Sequence, residues 1–112
     1  MGVPAVGTVV LVRFPFSDLS ETKLRPAVVV ADADRGDVVL CQITSRPYGD
    51  VHAERLTPQD FATGRLPVES FARPAKLFTA QQGLIVSHVG MLTDDARRRV
   101  IGAVVRRFQP GL

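Results

Sequence analysis

Residues 7–30 read GTVVLVRFPFSDLSETKLRPAVVV, two apolar runs rich in valine on either side of a polar loop with serines and mixed charges. Thr8 to Phe14 and Ala27 to Ala31 read as strands, because β-branched residues fit a pleated, packed surface. Arg25 stands at the entrance of the second strand, directly before Pro26. A third run, Val38 to Ile43, follows the turn Asp34-Arg35-Gly36-Asp37, so the second and third strands form a hairpin. Their continuous apolar character places both centrally in a strongly curved sheet, covered on each face. The third strand runs into Thr44 and Ser45. Two strand ends can therefore bring a fixed cation and two hydroxyls together, a combination that suits an anionic group such as a phosphate.

Further strand signals lie at Ala53 to Leu56, Ser70 to Phe78 and Leu84 to Leu92. Several short strands in one small chain favour a closed or partly closed barrel, which limits exposed edges. Thr57-Pro58-Gln59-Asp60-Phe61 has a capping residue followed by proline, the signature of a short connecting helix. The main helix is expected from Thr93, with Asp94 and Asp95 at the positive end of its dipole. Val100, Ile101, Val104, Val105 and Phe108 fall on one face at helical spacing, and Pro110-Gly111 supplies a stop. Packing that face on the sheet makes a single mainly β domain spanning residues 1–112.

Composition narrows the function classes. No apolar run approaches the ~20 residues that a membrane helix needs, and Val9 to Val12 is too short for a secretion signal and is followed by Arg13. A soluble protein without a membrane partner is expected. The single cysteine, Cys41, cannot form an internal disulfide and sits among strand residues as core filler. His52 and His88 add no metal-ligand spacing, so neither metal nor other cofactor is expected. A net charge of +3 and a pI of 9.8 favour an anionic partner. Arg97-Arg98-Arg99 and Arg106-Arg107 account for much of that excess and read as the solvated face and basic end of the terminal helix.

The motifs GTVVLVRFPF, KLRPAVVVA and CQITS together resemble the amino-terminal half of the PemK/MazF family of toxin ribonucleases. The likeness continues more weakly through Lys76-Leu77-Phe78-Thr79 and the helix after Met91-Leu92-Thr93. It implies an SH3-like small barrel with a C-terminal helix, in the cytoplasm. It further implies the toxin component of a type II toxin-antitoxin system: a homodimer that cuts single-stranded RNA at a short recognition sequence and is held by a cognate antitoxin. Arg25 and Thr44 match the catalytic pair of the family. The loop Ser17 to Leu24 departs from the Gly-Ser-Glu-Gln type of better-studied members, so no RNA sequence preference carries over. Phe78 stands near the place where many members have a second arginine, and it cannot bind phosphate.

RNA cleavage without a metal needs a proton removed from a ribose 2′-hydroxyl, charge stabilised on the phosphoryl oxygens and a proton given to the departing 5′-oxygen. The products are a 2′,3′-cyclic phosphate and a 5′-hydroxyl. A guanidinium grips two phosphate oxygens at once, and its pKa above about 12 suits Arg25 to charge stabilisation rather than proton abstraction. Thr44 and Ser45 can donate to nonbridging oxygens. Lys23, Arg46 and Lys76 can position the RNA backbone, with Ser17 and Ser20 of the polar loop acting on substrate choice in a segment that can gate the site. His52 is the side chain best suited to accept a proton near neutral pH. Two rival readings share the barrel. One is a toxin that poisons DNA gyrase by protein contact, whose members carry a C-terminal tryptophan that this chain lacks; the other is a catalytically silent barrel that binds nucleic acid or protein.

Overall fold

The computed structural model describes residues 2–15 and 22–109. In chain order the elements are β1 (Thr8–Pro15), β2 (Thr22–Asp32), β3 (Val38–Thr44), β4 (Glu54–Leu56), β5 (Phe61–Gly64), β6 (Ser70–Ala80), β7 (Ile85–Leu92) and the helix α1 (Asp94–Phe108). Single 3-10 turns at Pro58–Asp60 and Gln82–Leu84 lead into β5 and β7. The strands form one sheet in the order β4-β6-β3-β2-β1-β7-β5, antiparallel at every pairing. Register shifts interrupt the β1–β7, β2–β3, β3–β6 and β5–β7 ladders. An extra residue on one strand of a pair bends and twists it, and five such irregularities, two of them between β1 and β7, curl this sheet into a half-barrel.

Side-chain alternation then sorts the core into two layers. Val9, Val28, Cys41, Ile43 and Ala72 pack beneath the helix with Ala96, Val100 and Val104. Val10, Val12, Ala27, Val29, Val38, Leu40 and Ala80 fill the opposite face inside the curl, with Phe78 and Ile85 at its rim. The central placement of β2 and β3, read from their unbroken apolar runs, is what the strand order gives. The hairpin turn between them holds Asp34, Arg35 and Gly36 at φ 68°, 54° and 84°, and the Asp32 carboxylate steadies it by accepting from the Asp34 amide at 2.8 Å.

Thr93 caps the helix, its hydroxyl accepting from the Ala96 amide at 3.2 Å, as the sequence indicates. The buried stripe differs from the one expected. Ala96, Val100, Ala103 and Val104 face the sheet, whereas Val105 is 46% and Phe108 72% exposed. Each residue turns the helix by about 100°, which carries Val105 off the contact, whereas Phe108 follows Val104 by four residues on the same side and is exposed as the last residue of the helix. Arg99 fastens the helix from its flank, reaching Asp60 Oδ1 at 3.2 Å, Glu54 Oε1 at 3.4 Å and the Arg55 carbonyl at 3.0 Å. No helix among the described residues is long and apolar enough to cross a membrane.

Two strand boundaries also move. β2 begins at Thr22, because its ladder with β1 continues down to Pro15↔Thr22; Arg25 therefore lies within a strand rather than at its entrance. β5 has no counterpart in the sequence reading. Phe61-Ala62-Thr63-Gly64 is too short and too mixed to alternate, and it becomes a strand through a close pairing with β7 in which a Cβ on Gly64 would meet the Val89 carbonyl oxygen at 2.0 Å.

Candidate active site at the open end of β2 and β3

The hydrogen-bonded ladder of β2 with β3 starts at Ala27↔Gln42, one residue beyond Pro26, which has no N–H to give. Both strands run on past that pair. Counted on in the same register, Arg25 falls directly opposite Thr44, and alternation puts both on the face of Ala27, Val29, Leu40 and Val12. The chain thus brings its fixed cation and its strand-end hydroxyl to one edge of the inner layer, where that layer changes from valine to polar residues.

Thr44 is half-buried, and its hydroxyl closes the turn that follows β3. It accepts from the Arg46 amide and donates to the Arg46 carbonyl, both at 3.1 Å. A threonine hydroxyl held this way has a fixed position and one proton that can be redirected to an incoming acceptor. Arg25 is half-buried between Val12 on β1 and the end of β3. Partial burial that reaches the guanidinium Nε restricts its rotamers, which suits a group that must meet an anion in one geometry.

The remaining candidates distribute around this pair. Lys23, exposed on β2, shares the alternation of Arg25. Lys76, exposed on β6, shares that of Phe78 and Ala80 and counts on to a place opposite Gln42. Ser45 and Arg46 lie exposed in the bend after Thr44. His52 is exposed in the next turn, its backbone amide donating to Asp50 Oδ1 at 3.0 Å. Ser17 and Ser20 lie outside the described residues, as does most of the loop expected to gate the site. Among the described residues no group of three or more His, Cys, Asp and Glu side chains could hold a metal ion.

The fold adds residues that the sequence did not single out. β6 pairs Phe71 with Thr44 and Ala72 with Ile43, and the burial alternates from Ser70 to Pro74. Arg73 therefore projects to the same face as Thr44. Its Nε donates to Asp50 Oδ2 at 3.1 Å, with side chains 20% and 14% exposed, and its guanidinium lies 5.9 Å from the centroid of the Tyr48 ring. Burial alone would raise the Asp50 carboxyl; the His52 amide and the Arg73 guanidinium outweigh it and hold that carboxyl below its ordinary value. A long sequence separation hides this cluster, and the one local sign was a Tyr-Gly-Asp turn. Cys41 is settled as core: burial pushes its thiol up to about 12, and the thiol donates to the Arg73 carbonyl at 3.1 Å, which removes it as a nucleophile.

Fold and candidate site together describe a small, helix-backed half-barrel with Lys23, Arg25 and Arg46 at the ends of β2 and β3. Residues 5–108 match the family described as PemK-like, MazF-like toxin of type II toxin-antitoxin systems, and the chain belongs to that family. Among solved structures it is similar to a chain of the MazE–MazF crystal structure from Deinococcus radiodurans, at 19% identity and a TM-score of 0.77, covering 99% of this chain and 100% of that one. It is also similar to an endoribonuclease solved in complex with its cognate antitoxin from Mycobacterial species, at 15% identity and a TM-score of 0.73, covering 97% and 96%. At these identities the likeness shows the fold. Comparison with curated protein sequences gives no match.

Proposed function

We propose that this chain is the toxin of a type II toxin-antitoxin pair and cleaves single-stranded RNA at a short recognition sequence without a metal. The observation that carries the reading is the register of β2 and β3, which counts Arg25 to a place opposite Thr44 beyond the last paired residues. A phosphodiester seated there meets the guanidinium on two nonbridging oxygens, while Thr44 turns its proton from the Arg46 carbonyl to a third acceptor. The ribose 2′-hydroxyl attacks the phosphorus, its proton leaves to a base, and the 5′-oxygen departs with a proton; a 2′,3′-cyclic phosphate and a 5′-hydroxyl remain. His52, exposed in the turn that follows Thr44, is a candidate for the base.

Lys23, Ser45, Arg46 and Lys76 supply contacts along the backbone of the RNA, and Ser17 and Ser20 bear on which sequence is accepted. The working form is a cytoplasmic homodimer with RNA along its interface, and the cognate antitoxin occupies that surface, by analogy with the antitoxin complex among its structural neighbours. The test incubates purified protein with mixed-sequence RNA in the presence of chelator, maps the cut ends and repeats with Arg25→Ala and Thr44→Ala. Cyclic-phosphate ends from the wild type and their loss in both variants are expected. Full activity in both variants rejects the assigned pair, and an uncut RNA pool with intact antitoxin binding favours the silent barrel.

A further inference from the structure

Tyr48 occupies a position that packing does not explain. It is 75% exposed, so it adds little buried area to the core, and it holds φ at 54°, a left-handed conformation that a bulky side chain adopts at a cost and that glycine or asparagine would take more readily. The ring is nevertheless held in place. Arg73 lies over it at 5.9 Å, within cation–π range, and Arg73 is itself fixed by Asp50. The turn beneath is closed by Arg46 N–H to Thr44 Oγ1 at 3.1 Å, Asp50 N–H to the Pro47 carbonyl at 2.9 Å and Ala53 N–H to the Asp50 carbonyl at 3.2 Å. An aromatic plane backed by a cation, open on the rest of its surface and set on a rigid turn begun by Thr44 itself, is a stacking platform.

Resting on the endoribonuclease reading above, we propose that Tyr48 is a base-stacking residue, held by the Arg73–Asp50 pair so that its open face takes an unpaired nucleobase next to the phosphate gripped at Arg25 and Thr44. Single-stranded RNA offers splayed bases whose flat faces stack on aromatic rings, and such contacts tolerate many sequences. A guanidinium against the other side of the ring adds positive potential for the neighbouring phosphate. Arg73 and Asp50 act here as positioning residues.

The experiment measures binding apart from cutting. A fluorescent RNA oligonucleotide with 2′-O-methyl riboses has no free 2′-hydroxyl to attack, so its affinity for the wild type, Tyr48→Phe and Tyr48→Gly is read without cleavage. Tyr48→Phe keeps the ring and is expected to bind within about twofold of wild type, whereas Tyr48→Gly is expected to bind ~10- to 100-fold more weakly. Thermal unfolding of Tyr48→Gly should lie at or above wild type, since glycine accepts the left-handed backbone, which separates lost stacking from lost folding. A scan placing one abasic nucleotide at a time should find a position that weakens wild type but not Tyr48→Gly. Equal affinity of Tyr48→Gly and wild type overturns the proposal, and if that variant instead loses only antitoxin binding, the ring belongs to a protein contact. Wild type that binds the oligonucleotide but leaves ordinary RNA uncut sinks the endoribonuclease reading while the affinity ratios still support stacking; wild type that binds no RNA overturns both.

Discussion

Arg99 and Arg73 make the same kind of bond in two parts of the molecule. Each donates to an aspartate that is largely covered, Asp60 at 17% and Asp50 at 14% exposure, and each aspartate is held below its ordinary pKa against the opposing effect of burial. Arg99 spends its remaining donors on Glu54 and the Arg55 carbonyl, so it joins α1 to β4 and to the turn before β5. Arg73 turns instead to an exposed ring on a strained backbone beside Thr44. An ion pair that ends on other structural groups is a fastening; one that ends on an exposed aromatic supports a surface meant for something else.

Arg25→Ala provides the largest expected effect and the sharpest contrast with both. Removing a preorganised donor from a developing charge costs about 10²–10³-fold in turnover, and single-turnover cleavage with the unfolding midpoint held in view checks it; a variant that loses activity only by unfolding would break the distinction between site and scaffold. Arg99→Met should do the reverse. It is expected to lower stability by about 1–2 kcal/mol, allowing for the solvent that reaches its partly exposed guanidinium, and to leave KM for RNA unchanged. Arg73→Met should raise KM by about two- to fivefold, the size of an exposed cation–π contact, with a smaller change in kcat; a loss of stability matching that of Arg99→Met, with KM unaltered, would make the two clusters equivalent after all.

The smallest expected effect is on acid stability, and it is common to both clusters. Asp50 and Asp60 have folded pKa values below the ordinary carboxylate value near ~4, so the unfolded chain binds more protons as the pH falls. Their contribution is complete above that ordinary value and is lost as the pH drops through the depressed folded values. Urea midpoints measured from pH 6 downward should fall below about pH 4, and Asp60→Asn should flatten that slope more than a surface change such as Asp95→Asn, whose side chain is 91% exposed.

The valine runs of β2 and β3 were legible because burial on both faces leaves an unbroken apolar record in the chain, and Thr93 followed by two aspartates marked the helix start by purely local chemistry. The hairpin that sets the ends of β2 and β3 side by side was legible from the turn Asp34-Arg35-Gly36-Asp37, whereas the choice of Arg25 and Thr44 as a pair came from the likeness to the toxin family. The Arg73, Asp50 and Tyr48 cluster was not legible, because Arg73 reaches the site through a long-range strand pairing and a register shift in β6 that no short window contains. Phe108 misled for the opposite reason, since helical spacing names a face without saying how far the contact extends. The alanines at 96 and 103 were not singled out in the sequence, yet both are buried on the helix.

Cys41 gives the molecule a built-in reporter. Burial pushes its thiol up to about 12, so little reactive thiolate forms at neutral pH, and the sulfur is buried beneath the helix. A maleimide or disulfide dye added to the native protein should therefore wait for the barrel to open, and its labelling rate would count openings of the central sheet one molecule at a time.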